Sequence, residues 1–136
     1  MIKAVFDTNI LFSATGWKGS PYQCLQLARE KRVSLIPCRE ILEEYHEKLQ
    51  TKLDMTPEQA TRAVAEILAC STTVEINNEL HIVLDDPDDD KVVECAVTSE
   101  AAYIVSGDRH LLELKEYEGI VMLKANEFLG LVAAEK

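Results

Sequence analysis

The sequence predicts an α/β fold: a mostly parallel sheet covered by helices on both faces. Short hydrophobic runs such as Ala4-Val5-Phe6 and Ile104-Val105 alternate with segments of helical periodicity along the whole chain. Brief β-branched runs read as buried strands, and strands separated by helices favour βαβ units. The 136 residues fit one domain, residues 1–136, and 47% hydrophobic residues suffice for a core without disulfide or metal staples.

Lys3–Phe6 is the first strand, and a helical turn follows through Ile10–Ser13. Small residues make 16–20 a loop. Pro21–Lys31 carries Tyr22, Leu25, Leu27 and Ala28 at amphipathic-helix spacing. Val33–Ile36 is the second strand, stopped by Pro37. Over Arg39–Lys52, Ile41, Leu42, Tyr45 and Leu49 form the apolar stripe of a helix. Thr56-Pro57-Glu58-Gln59 then signals a helix start, with Thr56 as cap, Pro57 in the first turn and Gln59 closing a capping box. That helix runs to about Cys70. Thr72–Ile76 predicts a strand, with a turn at Asn77-Asn78. Asp86–Asp90 opens a helix through about Glu100, followed by a strand at Tyr103–Val105 and a short helix at Asp108–Leu114. A strand at Ile120–Leu123 and a helix at Ala125–Ala133 close the chain, which has no repeats, linkers or low-complexity segments.

Asp7 interrupts the N-terminal apolar run too early for a signal peptide, and no stretch approaches the roughly 18 apolar residues of a membrane span. A cytoplasmic protein with no membrane association is expected. Cys24, Cys38, Cys70 and Cys95 form no Cys-x-x-Cys pair, so a zinc knuckle or redox motif is disfavoured and small core residues are expected. The net charge of −10 runs against a nucleic-acid partner unless carboxylates neutralise bound metal or a basic partner covers part of the surface.

In parallel sheets functional groups gather beyond the carboxyl ends of the strands. Asp7 follows the first strand directly, and Asp108 stands in the same relation to Tyr103–Val105. Either alone could simply cap the next helix. The pair, with further acids between them, favours a site. Among Glu40, Glu43, Glu44 and Glu47, only Glu44 flanks the apolar stripe at about 100° per residue; a solvated partner of Lys48 is its bland alternative. Asp85-Asp86-Pro87-Asp88-Asp89-Asp90 crowds five carboxylates into six positions, which repel unless a cation or helix N-terminus relieves them. Asp89 and Asp90, nearest the helix, are the candidates. Carboxylates without a matching His or Cys set suit Mg²⁺ or Mn²⁺ rather than zinc. Such ions activate water and stabilise charge on a scissile phosphate. His46, His81 and His110 show no ligand spacing to one another, although His110 neighbours Asp108.

These segments resemble a known family. Val5-Phe6-Asp7-Thr8-Asn9-Ile10-Leu11 resembles the opening strand-Asp-Thr-Asn of PIN domains, and Ile41-Leu42-Glu43-Glu44-Tyr45 their glutamate-bearing helix. Asp86-Pro87-Asp88-Asp89-Asp90-Lys91, with Ala96 beyond, resembles the helix bearing the third acid. Ala102-Tyr103-Ile104-Val105-Ser106-Gly107-Asp108 resembles the strand before the fourth, and Asn126-Glu127-Phe128-Leu129 the closing segment. The pattern is similar to that of the toxin-type PIN proteins, of which the VapC-like ribonucleases are one branch.

The resemblance implies a three-layer α/β/α sandwich with a central twisted sheet, and Mg²⁺- or Mn²⁺-dependent endoribonuclease activity on single-stranded RNA. It implies catalytic and metal-binding roles for Asp7, Glu44, Asp90 and Asp108. Asp89 stays open beside Asp90, since spacing to Asp108 selects Asp90 while the Asp-Pro-x-Asp pattern selects Asp89. Thr8, Asn9 and Ser106 would support the site by hydrogen bonds, and Lys18, Arg39 and Arg109 are the candidates to bind RNA. An antitoxin partner is compatible with this reading, and a homodimer is expected from the family.

Two departures stand out. Lys124-Ala125-Asn126 replaces the usual Thr-Pro before the final helix, and basic residues are few. A haloacid-dehalogenase-like phosphatase would need an acid where Asn9 stands. A catalytically silent PIN-fold module that binds nucleic acid or protein is the other alternative, disfavoured because idle packed carboxylates cost stability.

Overall fold

The computed structural model describes residues 1–83 and 87–135. Strand β1 (Ile2–Phe6) is followed by α1 (Thr8–Gly16), α2 (Ser20–Arg29), β2 (Val33–Leu35), α3 (Arg39–Leu53) and α4 (Pro57–Ala69). A 3₁₀ turn (Pro87–Asp89) leads into α5 (Asp90–Ser99), β3 (Tyr103–Val105), α6 (Arg109–Leu114), β4 (Glu116–Tyr117), β5 (Ile120–Leu123) and α7 (Ala125–Ala134). The sheet order is β2-β1-β3-β5-β4, parallel except for the β4/β5 pair. This is the three-layer α/β sandwich that the alternation of strands and helices predicts.

The chain moves from β1 to one side through β2, then crosses back to β3 on the other. The carboxyl ends of β1 and β3 therefore flank a topological switch point. Right-handed crossovers place the two connections on opposite faces. On one face, α7 packs on α2, and Phe128 meets Phe6 and Tyr103 edge-on at centroid distances of 5.9 and 6.0 Å. Helix α5 packs against β1 and β3. Cys24, Cys38 and Cys95 are buried free thiols, and Cys70 is half-buried.

Local signals explain most boundaries. Thr56 and Gln59 form the predicted reciprocal cap: Gln59 N donates to Thr56 Oγ1 at 3.1 Å and Thr56 N to Gln59 Oε1 at 2.9 Å. The Thr-Pro missing before α7 is offset by Glu127, whose Oε1 accepts from Lys124 N at 2.9 Å. Helix α1 is longer than the predicted turn because Asp7 caps it from outside, accepting from Ile10 N at 2.9 Å.

Three expectations change. Thr72–Ile76 is not a strand: Ser71 makes one bridge to Leu35, Thr72 N donates to Leu35 O and Val74 N to Pro37 O. Pro37 has no N–H to return, so the ladder cannot continue. Strand β4 was not anticipated; a two-residue turn at Glu118 and Gly119 joins it to β5, with φ of 49° and 85° as a type I′ hairpin requires. The helix expected from Asp86 begins at Asp90, after the 3₁₀ turn, while Asp85 and Asp86 lie outside the described residues. Among the described residues, no helix is long and apolar enough to cross a membrane.

Candidate functional site

Register brings the strand-end acids together. Phe6 pairs with Val105, and Asp7 N donates to Val105 O at 3.1 Å, which sets Asp7 beside Ser106. Both acids also cap the helices they precede, so capping and site geometry coincide. Asp7 Oδ1 accepts from Ile10 N, and its Oδ2 accepts from the Ser106 hydroxyl. Asp108 Oδ1 accepts from His110 N at 2.8 Å and Leu111 N at 3.3 Å. Ser106 Oγ in turn accepts from Asp108 N at 2.9 Å, linking the two acids through one buried hydroxyl.

Helix α3 delivers Glu44. Its apolar stripe buries Ile41, Leu42, Tyr45 and Leu49, leaving Glu43 and Glu47 exposed and Glu44 half-buried at the margin. The adjacent Tyr45 hydroxyl meets Thr15 Oγ1 at 2.6 Å, fastening α3 to α1. Glu44, Asp7, Thr8, Asn9, Lys48, Asp88, Asp89, Val92 and Asp108 line one recess of about 120 Å³.

Asp90 is placed elsewhere. Its Oδ1 accepts from Ile82 N at 2.9 Å and Val83 N at 2.8 Å, and it is not among the residues lining the recess. One turn on, Glu94 accepts from the N–H groups of Asn77, Asn78, Glu79 and Leu80 at 2.8–3.0 Å. Together they hold 77–83 against α5.

The electrostatics follow from burial and partners. Burial raises the Asp7 pKa, and the neighbouring Asp108 charge adds to this; the Ser106 hydroxyl, Ile10 N–H and Lys48 offset only part. Burial would likewise lift Glu44, but Thr8, Lys91 and Lys48 outweigh it and hold its pKa below the usual range. Thr8 Oγ1 faces that carboxylate outside standard hydrogen-bond geometry. For Asp108, burial is outweighed by a hydrogen bond with Asp89 and by the Leu111 and His110 N–H groups, so its pKa is lowered. Single ligand atoms of Asp89, Asp108 and His110 lie within 4.8 Å of one another. This oxygen-rich set fits a hard divalent ion.

The cations expected at the site are differently disposed. Lys18 is exposed, Arg39 pairs with Glu40 and Glu43, and Arg109 pairs with Glu113; none lines the recess. Two other lysines approach instead. Lys91 Nζ is 2.9 Å from Glu44 Oε2, and Lys48 Nζ donates to Asn9 Oδ1 at 2.6 Å. Lys48 was signalled by its spacing from Glu44, four residues on along α3. Lys91 had no such signal.

A doubly wound α/β domain with an acid-lined recess at its switch point is the class that fold and site define. The chain belongs to the PIN domain family, whose model matches residues 3–110. Its fold is similar to a chain of VapBC2 from Rickettsia felis, solved bound to a DNA fragment from their promoter, with TM-score 0.65 and 16% identity over 90% of this chain and 98% of that one. It is also similar to PAE2754 from Pyrobaculum aerophilum, with TM-score 0.62 and 17% identity over 98% of both chains. Among curated proteins none matches significantly.

Proposed function

We propose that this protein is a divalent-metal-dependent endoribonuclease that cleaves single-stranded RNA. The observation that supports it is the convergence of Asp7, Glu44, Asp89 and Asp108 on one recess at the β1/β3 switch point. In this reading Asp89 and Asp108 hold Mg²⁺ or Mn²⁺, Asp7 completes the negative field, and Asp90 fastens the neighbouring segment. The bound ion supplies a more acidic water and stabilisation of charge on the scissile phosphate. Ser106 and the α1 N-terminus keep Asp7 oriented, and Asp108 is fixed by its own helix cap. Glu44 is positioned to orient the attacking water, and Thr8 and Asn9 steady the two sides of the recess. Lys48, which lines the recess, would meet the nearest RNA phosphate, and Arg109, next to Asp108, with Lys18 and Arg39 would serve nucleotides outside it.

Membership of the family and the likeness to a VapBC2 chain favour a cytoplasmic toxin paired with an antitoxin protein, acting as a homodimer. A basic antitoxin surface would also answer the net charge of −10. The test is cleavage of a mixed single-stranded RNA pool with Mg²⁺, with Mn²⁺ and with EDTA, comparing the native chain with Asp7→Asn. Cutting that needs metal and disappears in the variant is expected. Metal-independent cutting, or full activity in a folded Asp7→Asn protein, would overturn the assignment.

A further inference from the structure

We infer that Trp17, backed by Phe12, is a stacking platform for an unpaired base of the RNA strand whose backbone enters the recess. The inference rests on the ribonuclease reading above and names how that substrate is held.

The recess attracts RNA weakly by charge alone. Asp7, Glu44, Asp88, Asp89 and Asp108 line it against the single ammonium of Lys48, in a chain of net charge −10. Phosphate binding draws on lysines and arginines, and Arg39 and Arg109 are already paired with glutamates. Affinity for a single strand therefore calls for a contact that does not depend on charge. Stacking of a base on an aromatic ring is such a contact.

Trp17 offers the ring. It is the only tryptophan of the chain, and it is 58% exposed although tryptophan is on average well buried. Its place is nonetheless fixed. Its backbone N–H donates to Ser13 O at 3.0 Å where α1 ends, and its ring rests against Phe12 at a centroid distance of 5.8 Å. Phe12 in turn packs on the core. An indole held in this way loses little freedom when a base stacks on it.

Helix α1 joins the platform to the recess. At about 100° per residue, Phe12, Ser13 and Gly16 lie within about 60° of Asn9, opposite the buried Ile10, Leu11 and Ala14. Asn9 lines the recess, and Trp17 follows at the other end of the helix, about 12 Å further along its axis. A strand that leaves the recess past Asn9 and follows this face reaches the indole within a few nucleotides. Lys18, exposed beside Trp17, meets the backbone there.

The test is binding of labelled oligouridylate to the full chain, with Ca²⁺ as the hard ion. Anisotropy of the label reports binding, and the emission of the only tryptophan reports its own surroundings. An abasic oligomer of the same length, which keeps the phosphates and lacks the bases, is run beside it. For the native chain, quenching of Trp17 that saturates with the anisotropy is expected, and the abasic oligomer should leave the emission unchanged. Trp17→Ala should bind oligouridylate about tenfold more weakly, Trp17→Phe should keep most of the affinity, and the abasic oligomer should not distinguish the three. Equal affinity of Trp17→Ala and the native chain for oligouridylate overturns the inference, as does binding that leaves the Trp17 emission unmoved. Both outcomes leave the ribonuclease reading standing. A native chain that neither binds nor cuts single-stranded RNA would remove that reading, and this inference with it.

Discussion

Asp89 and Asp90 are adjacent in sequence, yet their carboxylates serve different parts of the molecule. Asp89 lines the recess, with a carboxylate oxygen within 4.8 Å of one on Asp108, while Asp90 accepts the Ile82 and Val83 N–H groups. The 3₁₀ turn at Pro87–Asp89 meets α5 between them, and that change of winding separates two acids that composition alone leaves equivalent.

Substitution should therefore split function from stability. Asp90→Ala leaves two backbone N–H groups without their acceptor, at about 1–3 kcal/mol each where buried. Its melting temperature should fall by several degrees while Mn²⁺ still binds once the protein is folded. Asp89→Ala should melt close to the native chain without metal and lose most Mn²⁺ affinity. Parallel calorimetry of unfolding and of metal binding separates the two, and the reverse pattern would reassign the acids.

Glu94 is a sharper case, because one carboxylate accepts from four successive residues. Glu94→Gln replaces one acceptor oxygen by an NH₂ donor that faces backbone donors. A loss of about 2–4 kcal/mol is expected from charge-assisted bonds of this kind. Hydrogen exchange at Asn77, Asn78, Glu79 and Leu80 should accelerate most. Unchanged protection there would mean that other contacts hold the segment.

Local chemistry made much of this fold legible. Periodicity located β1, α3 and β5, and the Thr56–Gln59 box marked the start of α4, because each signal involves residues a few positions apart. The strand-end rule pointed to Asp7 and Asp108, which the Phe6–Val105 register sets side by side. What escaped depends on distant partners. Thr72–Ile76 has strand composition, but its neighbour Pro37 cannot donate. Lys91 meets Glu44 across 47 residues, and Glu94 looks like any exposed helix glutamate until 77–80 folds over it. The Glu118-Gly119 dipeptide was a readable hairpin signal that strand length obscured.

Ser106 should tune Asp7. Its hydroxyl donates to Asp7 Oδ2 and favours the charged carboxylate against burial. Ser106→Ala removes that donor, so the Asp7 pKa rises further and metal binding should fail at a higher pH than in the native chain. Mn²⁺ affinity measured across acidic pH would show its lower limb displaced upward. A coincident limb would mean that Asp7 does not control binding.

Asp7 itself is a burden on the metal-free fold. Its folded pKa lies above the unfolded value near 3.8, so the folded chain holds that proton more tightly. The associated stability is fully present below the unfolded pKa and is lost as pH rises through the folded one. At neutral pH the buried charge therefore opposes folding. Asp7→Asn keeps the shape and an oxygen to cap α1, but carries no charge. Without metal, the variant should melt several degrees above the native chain at neutral pH, with the gap closing as the pH falls towards the unfolded value. Saturating Mn²⁺ should narrow or reverse the gap, because an ion held by Asp89 and Asp108 is bound more tightly beside a charged Asp7 than beside Asn. Melting curves with EDTA and with Mn²⁺, at acidic and neutral pH, test each step. A variant less stable at neutral pH without metal would show that the Asp7 charge is already compensated by Ser106, Ile10 and Lys48.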